Sequence, residues 1–293
     1  MEDTTEESTP STSSVEALKL ASAGLRGDLV ADLNAPTREY RPRRISCSSS
    51  TGSTPRTTAT SAGPSPRPVA SSLTFTWRLA IPGGVLTYEQ WLVLDRIAEE
   101  LADGSIRLTT RQAAQFHGVA KQGLRHLAQS LHGATMTTIA ACGDVVRNTV
   151  MCPTLWRDHV GDSAALAWRI ASTFRPRTQA HWEIFVGGEL AASSEAEHDF
   201  YGATFLPRKF KIASGGESEN CVDVLAQDLG FVPVTHPERG RGYTVFVGGG
   251  LGRSYAQADT FARLADPLAF VISDEVVSLV TAVLGAYRDL INR

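Results

Sequence analysis

A segment of unusual composition, residues 45–72, limits which parts of this chain can form a folded core. Of its 28 residues, 20 are serine, threonine, proline or glycine, and no acidic residue occurs between Glu39 and Glu89. A segment this poor in apolar side chains cannot bury enough surface to offset the entropy lost on folding. We therefore predict a disordered tail and linker over residues 1–72, with one short helix inside it, and continuous folded structure from residue 73.

The composition of the whole chain argues against several functional classes. The 293 residues carry a formal net charge of −3, without the basic excess typical of nucleic-acid binding. No apolar run approaches the about 20 residues that span a bilayer, and the acidic N-terminus does not resemble a signal peptide. The four cysteines (Cys47, Cys142, Cys152 and Cys221) are scattered, which fits a reducing cytoplasm and offers no metal-ligand spacing. We expect a cytoplasmic protein that binds neither nucleic acid nor membranes.

Apolar periodicity after residue 73 alternates between strands and helices. In the first half it predicts a strand from residue 73, a helix over about 88–102, extended chain over 106–118, a helix over 121–132 and a strand over 135–142. In the second half it predicts strands at 181–187, 205–213 and 243–249, and two closing helices near 255–265 and 274–290. This alternation indicates an α+β fold with helices on one face of a small sheet.

Three basic residues stand close together in the sequence LPRKFK at residues 206–211. On a strand, Lys209 and Lys211 share one face, where their mutual repulsion is roughly 2 kcal/mol at an effective dielectric near 20. Solvent, or the nearby acids Glu217, Glu219 and Asp223, would offset that repulsion. An anionic ligand would offset it equally well, and these six residues alone leave both explanations open.

The extended stretch 106–118 has one face rich in hydrogen-bond donors. As a single strand it places six residues on that face: Arg107, Thr109, Arg111, Ala113, Gln115 and His117. This face contains no acid, although solvated strand surfaces normally mix charges of both signs. A plain solvated surface remains one explanation, and a ligand with several carboxylates is the other.

Two further segments are candidate ligand-binding loops. In ACGDVVRNTVMCP (141–153), Arg147 follows a predicted strand, where it would either pair with Asp144 or face a ligand; Cys142 and Cys152 are interpreted as small core residues. In VFVGGGLG (245–252) the glycines lack the order of a dinucleotide-binding loop, so a tight turn at a strand end is the favoured interpretation.

Taken together, five ordered motifs resemble the sulfite and nitrite reductase hemoprotein family. They are RLAIPGGVLT (78–87), GSIRLTTRQAAQFHG (104–118), ACGDVVRN (141–148), LPRKFK (206–211) and VGGGLG (247–252). The resemblance covers residues 73–293 and implies a ferredoxin-like half domain at 73–143 followed by a siroheme-binding α+β domain at 144–293. In such proteins these form one half of a pseudo-twofold architecture.

The resemblance also implies roles for individual residues. Arg78, Arg147, Lys209 and Lys211 look like the cations that hold the substrate oxyanion on the siroheme iron. Arg107, Thr109, Arg111, Gln115 and His117 look like the face that grips the siroheme carboxylates. Because family members that act on nitrite tend to have asparagine where this chain has Lys211, the resemblance favours sulfite, with nitrite as the alternative.

The chain departs from the family in its cysteines. Family members carry four cysteine ligands of a 4Fe-4S cluster in two spaced pairs beyond the region matched here, and Cys142, Cys152 and Cys221 do not match them. We expect an incomplete sulfite reductase hemoprotein, truncated before its 4Fe-4S half and inactive alone. Its partners would be sulfite, an electron-donating flavoprotein or ferredoxin, and a separate C-terminal half. A non-catalytic remnant with residual anion or tetrapyrrole binding is the other hypothesis.

The second departure is the polar segment itself. Family members have an ordered segment with acidic residues where residues 40–72 of this chain have neither. We hypothesise a compensated frameshift within residues 40–72, which the nucleotide sequence would decide because shifting the frame should restore a family-like segment.

Overall fold

The structure is a computed structural model that describes residues 14–21, 53–58, 72–153, 160–176, 183–186, 189–193, 200–202, 205–253 and 260–291. Its helices are α1 (Ser14–Ala21), α2 (Tyr88–Leu101), α3 (Leu124–Gly133), α4 (Val160–Thr173) and α5 (Val276–Leu290). Its strands are β1 (Ser53–Thr58), β2 (Ser72–Arg78), β3 (Arg107–Leu108), β4 (Ala114–Val119), β5 (Val150–Met151), β6 (Glu183–Val186), β7 (Glu189–Ser193), β8 (Ile212–Ser214), β9 (Leu229–His236), β10 (Gly240–Val247) and β11 (Asp266–Ile272).

The first sheet is antiparallel, with strand order β1-β2-β4-β3. Alternate residues of β2 and β4, such as Phe75, Trp77 and Phe116, pack against the apolar sides of α2 and α3 and form one core. Helix α2 begins after Thr87, whose hydroxyl accepts a hydrogen bond from the Gln90 N–H at 3.2 Å, a strong signal for a helix start. The predicted first strand and both helices are confirmed, with helices on one face of the sheet.

Residues 106–118 form a hairpin, so the prediction of one extended strand is wrong. The chain turns between β3 and β4, where Thr109 N–H donates to Ala113 O at 2.8 Å and Gln112 takes a positive φ of 50°. The alternation of faces is therefore broken between Leu108 and Ala114. The turn contains neither glycine nor proline, which is why its sequence did not reveal it.

Two other local predictions in this part of the chain are corrected. Residues 53–58, which the composition assigns to a linker, form strand β1 along the edge of β2. The predicted strand at 135–142 is reduced to a single bridge between Thr137 and Ala80, because Thr135 and Ala140 both have positive φ angles.

The second sheet has strand order β11-β10-β9-β8-β5. Strands β9, β10 and β11 are antiparallel neighbours, whereas β8 and β5 run parallel to β9. Its core joins Phe231 and Val245 of the sheet to Ile170 of α4 and Leu284 of α5. With its mixed sheets and helices the chain has the expected α+β fold.

Strand β8 is shorter than predicted, and one predicted helix is wrong over the residues described. Within 205–213, only Ile212 and Ala213 belong to a strand, although Phe210 makes an isolated parallel bridge with Val146. Of the helix predicted near 255–265, residues 254–259 lie outside the described residues, and Arg263 forms a bridge with Gly250 instead of a helical turn.

Candidate functional site

The face of the first sheet opposite its core carries a row of polar side chains. Arg78 of β2 and Arg107 of β3 both lie directly opposite Gln115 of β4, so all three project from the same face. His117, two residues along β4, shares that face; its Nε2 donates to Gln115 Oε1 at 3.2 Å, and its Nδ1 lies 3.5 Å from the Thr76 hydroxyl. Three of the predicted cofactor-binding residues, Arg107, Gln115 and His117, are thus brought together beside Arg78.

A parallel contact between two loops places three more cations together. Phe210 N–H donates to Val145 O at 3.0 Å, and Arg147 N–H donates to Phe210 O at 2.8 Å. Val146 and Phe210 are buried in the second core, whereas Arg147, Lys209 and Lys211 are all partly exposed, as expected for side chains that point away from that core. Arg147, Lys209 and Lys211 therefore share one face of this loop pair.

Arg147 is fixed by backbone carbonyl groups of its own loop. Its Nε donates to Gly143 O at 2.8 Å and its Nη1 donates to Ala141 O at 3.0 Å. Arg78 reaches the same loop from β2, where its Nη1 donates to Cys142 Sγ at 3.4 Å. Cys142 thus connects the polar row of the first sheet to the loop that carries Arg147.

The four predicted substrate-binding cations are electrostatically coupled. Burial lowers the pKa of Arg147, and the neighbouring Arg78 lowers it further. Burial also lowers the pKa of Lys209, with further contributions from Arg208, Arg147 and Lys211. Among the described residues, neither lysine ammonium group makes a hydrogen bond or ion pair with a protein group. We call Arg78, Arg147, Lys209 and Lys211 the cationic cluster.

Two acids lie close to the cationic cluster: Asp144, which acts on Arg147, and Asp228, which acts on Lys209 and Lys211 and was not identified from the sequence. The Asp228 Oδ2 accepts a hydrogen bond from the Lys211 N–H at 2.7 Å. Burial raises the pKa of Asp228, while the Lys211 hydrogen bond and charge, and the charge of Arg111, work in the opposite direction. The nearby acids proposed from the sequence, Glu217, Glu219 and Asp223, are all exposed. The feature of the sequence that could have identified Asp228 is its position as a single acid just before the apolar strand β9.

Arg111 does not lie on the polar row, in contrast to the prediction from strand alternation. Its guanidinium donates to Asn148 O (2.7 Å from Nη2), Ile212 O (3.0 Å) and Gln227 Oε1 (3.0 Å). It thereby ties the hairpin of the first sheet to the second sheet. Burial, followed by repulsion from Arg147, lowers its pKa to about 10.

The neighbours of Arg111 complete this junction. Thr109 Oγ1 accepts hydrogen bonds from Arg111 N–H and Ala113 N–H and so stabilises the turn instead of facing the polar row. Asn148 Nδ2 donates to Ile81 O at 2.7 Å, and the Gln112 side chain makes two hydrogen bonds with the Met151 backbone. Neither Asn148 nor Gln112 was assigned a role from the sequence, because their partners are distant along the chain.

The glycines of 247–252 form a turn that packs beside Asp228. Gly248 has a φ of 86°, and its N–H donates to Asp228 O at 3.0 Å. A Cβ on Gly249 would lie 2.2 Å from Leu225 O, so no larger residue fits there. The prediction of a tight turn at a strand end is confirmed.

The described residues do not fit an iron–sulfur cluster. Cys152 is buried, as the core interpretation expects, but it forms a disulfide with Cys221, which the sequence analysis left unpaired; their Cα atoms are 5.9 Å apart. Over the described part of the chain, Cys142 is the remaining thiol, and no three His, Cys, Asp or Glu side chains are placed to share a metal ion. Four thiolates around one cluster are therefore not available from these residues. None of the described helices is long and apolar enough to cross a membrane.

Two protein families match most of the chain that follows the polar segment 45–72. Residues 70–134 match the "Nitrite/Sulfite reductase ferredoxin-like half domain". Residues 142–293 match the "Nitrite and sulphite reductase 4Fe-4S domain". Together the two matches contain the polar row and the whole cationic cluster.

Curated relatives share this region at substantial identity. A sulfite reductase [NADPH] hemoprotein beta-component of Acidithiobacillus ferrooxidans is 44% identical over 217 residues, which are 73% of this chain and 38% of that protein. The protein of the same name in Xanthomonas campestris pv. campestris is 42% identical over 222 residues, covering 75% of this chain and 39% of that protein. The chain spans about two fifths of the length of these relatives.

Two solved structures share the fold. The Mycobacterium tuberculosis NirA protein superposes with a TM-score of 0.66 over 93% of this chain and 46% of its own, at 21% identity. Dissimilatory sulfite reductase I superposes with a TM-score of 0.54 over 75% of this chain and 64% of its own, at 12% identity.

Proposed function

Because the chain belongs to the nitrite and sulphite reductase family, we propose that its cationic cluster binds sulfite, as part of the active site of a sulfite reductase hemoprotein. The observation that carries this proposal is the pairing of residues 145–147 with Phe210, which turns Arg147, Lys209 and Lys211 toward one side. Arg78 joins them through its contact with Cys142. Four cations, only partly compensated by Asp144 and Asp228, suit a small, doubly charged oxyanion.

The polar row is the proposed site for siroheme. Its residues fit a group with many carboxylates, because Arg107, Gln115 and His117 present donors beside the cationic cluster and no acid faces them within the described strands β2, β3 and β4. When bound there, siroheme would supply an iron that binds the sulfur atom and passes on electrons from an external donor. Arg111 and Thr109, proposed from the sequence as members of this face, serve the site indirectly by fixing the hairpin.

The cationic cluster itself would hold sulfite and provide protons. Lys209 is the strongest candidate for proton donation, because its lowered pKa makes its ammonium a better acid than an ordinary lysine. The oxygens of sulfite leave as water during the complete reduction to sulfide, so each departing oxygen needs protons at its own position. Arg147, whose guanidinium is anchored to Gly143 and Ala141, would hold the oxyanion without giving up its proton.

Sulfite is proposed over nitrite on grounds of charge. Lys211 adds a second lysine beside Lys209, and a dianion gains more from this second charge than a monoanion does. The curated relatives named above are sulfite reductase hemoproteins. We treat nitrite as the alternative substrate.

The 293-residue polypeptide is proposed to be inactive in sulfite reduction by itself. Its sequence holds four cysteines, of which Cys152 and Cys221 are joined to each other, so the thiolates of an electron-delivering cluster would have to come from another polypeptide segment. A flavoprotein or ferredoxin would then donate the electrons. On its own, the chain would act as a binding module for sulfite and siroheme.

Calorimetric titration of the purified chain with sulfite, with and without added siroheme, tests the proposal. We expect Arg147→Gln and Lys209→Gln each to weaken sulfite binding by about tenfold or more, since each removes a charge-assisted contact. Arg96→Gln is the matched control, because it removes one positive charge from α2, on the opposite side of the first sheet. Equal affinities in all three variants, or no binding to the unmodified chain, would contradict the proposed site.

A further inference from the structure

Helix α1 inserts a buried lysine next to the cationic cluster. Lys19 and Glu16 are only 6% and 5% exposed, although α1 lies before the residues that match the two family domains. The Lys19 ammonium donates to Glu16 Oε1 at 2.7 Å and lies 2.9 Å from Asp144 Oδ2. It also donates to Leu206 O at 3.2 Å. Burial of a lysine this deep is costly unless its ammonium group is paired in this way.

The two remote partners of Lys19 lie on the two loops that carry the cluster. Asp144 precedes Arg147 by three residues, and Leu206 precedes Lys209 by three residues. The same two residues are hydrogen-bonded to each other, Leu206 N–H donating to Asp144 O at 3.0 Å. Lys19 therefore holds the loops together at the point where their pairing begins.

Lys19 also balances an acid that competes for Arg147. Asp144 attracts the Arg147 guanidinium and so opposes part of the lowering of the Arg147 pKa that burial causes. The side chains of Glu16, Lys19, Asp144 and Arg147 interact one after another and alternate in charge. Without Lys19, Asp144 would lose its cationic partner, and Arg147 would be drawn toward Asp144 and away from a bound anion.

We propose that Lys19 is a positioning residue for the cationic cluster, which keeps the two loops paired and neutralises Asp144 so that Arg147 stays available to an oxyanion. The proposal rests on the proposed function only in the identity of the anion. It gives α1 a defined part in the site.

The first test uses hydrogen exchange in the full 293-residue chain, and it does not depend on any ligand. Lys19→Met should speed exchange of the Leu206, Phe210 and Arg147 amides, which carry the hydrogen bonds between the two loops, by about tenfold or more. Lys19→Arg should restore their protection. Amides of β10, in the other part of the second sheet, serve as the internal control. Unchanged protection of the three loop amides in Lys19→Met would overturn the proposal.

The second test measures sulfite binding and separates charge from general stability. Lys19→Met should weaken sulfite binding by about fivefold to tenfold, whereas the double variant Lys19→Met with Asp144→Asn should return to within about threefold of the unmodified chain. A purely structural lysine would not be rescued by removing the charge of Asp144, so failure of the double variant would overturn the electrostatic role. If the unmodified chain does not bind sulfite, the proposed function fails and hydrogen exchange alone decides the role of Lys19.

Discussion

Asp228 and Lys19 show that the cationic cluster is set by residues outside its own motifs. The Asp228 carboxylate, held by the Lys211 backbone N–H, offsets part of the positive charge of the two lysines, and Lys19 removes Asp144 from competition for Arg147. The charge left for a ligand is therefore the difference between several opposing groups. Single substitutions at these positions should change anion binding in opposite directions.

Asp228→Asn should increase sulfite affinity by about threefold, because it removes a negative charge beside Lys211 while the asparagine oxygen still accepts the Lys211 N–H. Calorimetric titration against the unmodified chain measures the effect. Glu217→Gln is the control, since it removes an exposed acid from the neighbouring loop and should leave the affinity unchanged. Weaker binding by Asp228→Asn would show that this carboxylate supports the anion site and does not oppose it.

The pH dependence of stability should also reveal Asp228. Because burial raises its pKa above the ordinary value of 3.8, the protonated carboxyl favours the folded state; this gain is fully present below 3.8 and is lost as the pH rises through the folded-state pKa. The free energy of unfolding of the unmodified chain, relative to Asp228→Asn, should therefore increase as the pH falls through this window. Urea unfolding at several pH values measures the difference, and a constant difference would contradict the raised pKa.

The sequence predicts the helices and strands of the fold better than the connections between them. Strand β2, helices α2 and α3 and strand β10 follow from apolar periodicity, because their buried sides face a core. The turn at 109–113 could not be predicted, since it is held by contacts with Asn148 and Met151 that are distant in sequence. That turn moves Arg111 from the polar row to the junction between the sheets, whereas Arg107 and Gln115 remain where alternation placed them.

Arg111→Lys should therefore lower the free energy of unfolding by about 3 kcal/mol, because lysine cannot make the forked contacts with Asn148, Ile212 and Gln227. Arg107→Lys is the matched control: the side chain is exposed, so its stability should stay within about 0.5 kcal/mol of the unmodified chain. Urea unfolding measures both variants. Equal stabilities would mean that Arg111 does not join the two sheets, and would favour the direct cofactor contact inferred from the motif.

The whole molecule exposes apolar surface beside the second sheet. Phe261, Leu264 and Leu251 are 70%, 59% and 58% exposed, and they surround the bridge between Gly250 and Arg263. An exposed group of this kind is a common site of association between protein surfaces.

We expect the purified chain to self-associate as its concentration rises, and Phe261→Ser to reduce that association. Sedimentation velocity over a range of concentrations measures both. Val85→Ser, at another exposed apolar side chain, in the first sheet's half of the chain, provides the control and should have little effect. A chain that stays monomeric at every concentration would show that this surface does not drive association under those conditions.

If four cations from separate segments meet around one sulfite-sized anion, a crystal structure with bound selenite should show them in contact with it. Selenite has the charge and shape of sulfite, and its selenium atom gives an anomalous signal. We predict one strong peak whose oxygens lie within hydrogen-bond distance, about 3 Å, of Arg147, Lys209 and Lys211, with Arg78 alongside. A peak elsewhere on the chain, or none near these side chains while selenite is in excess, would contradict the account.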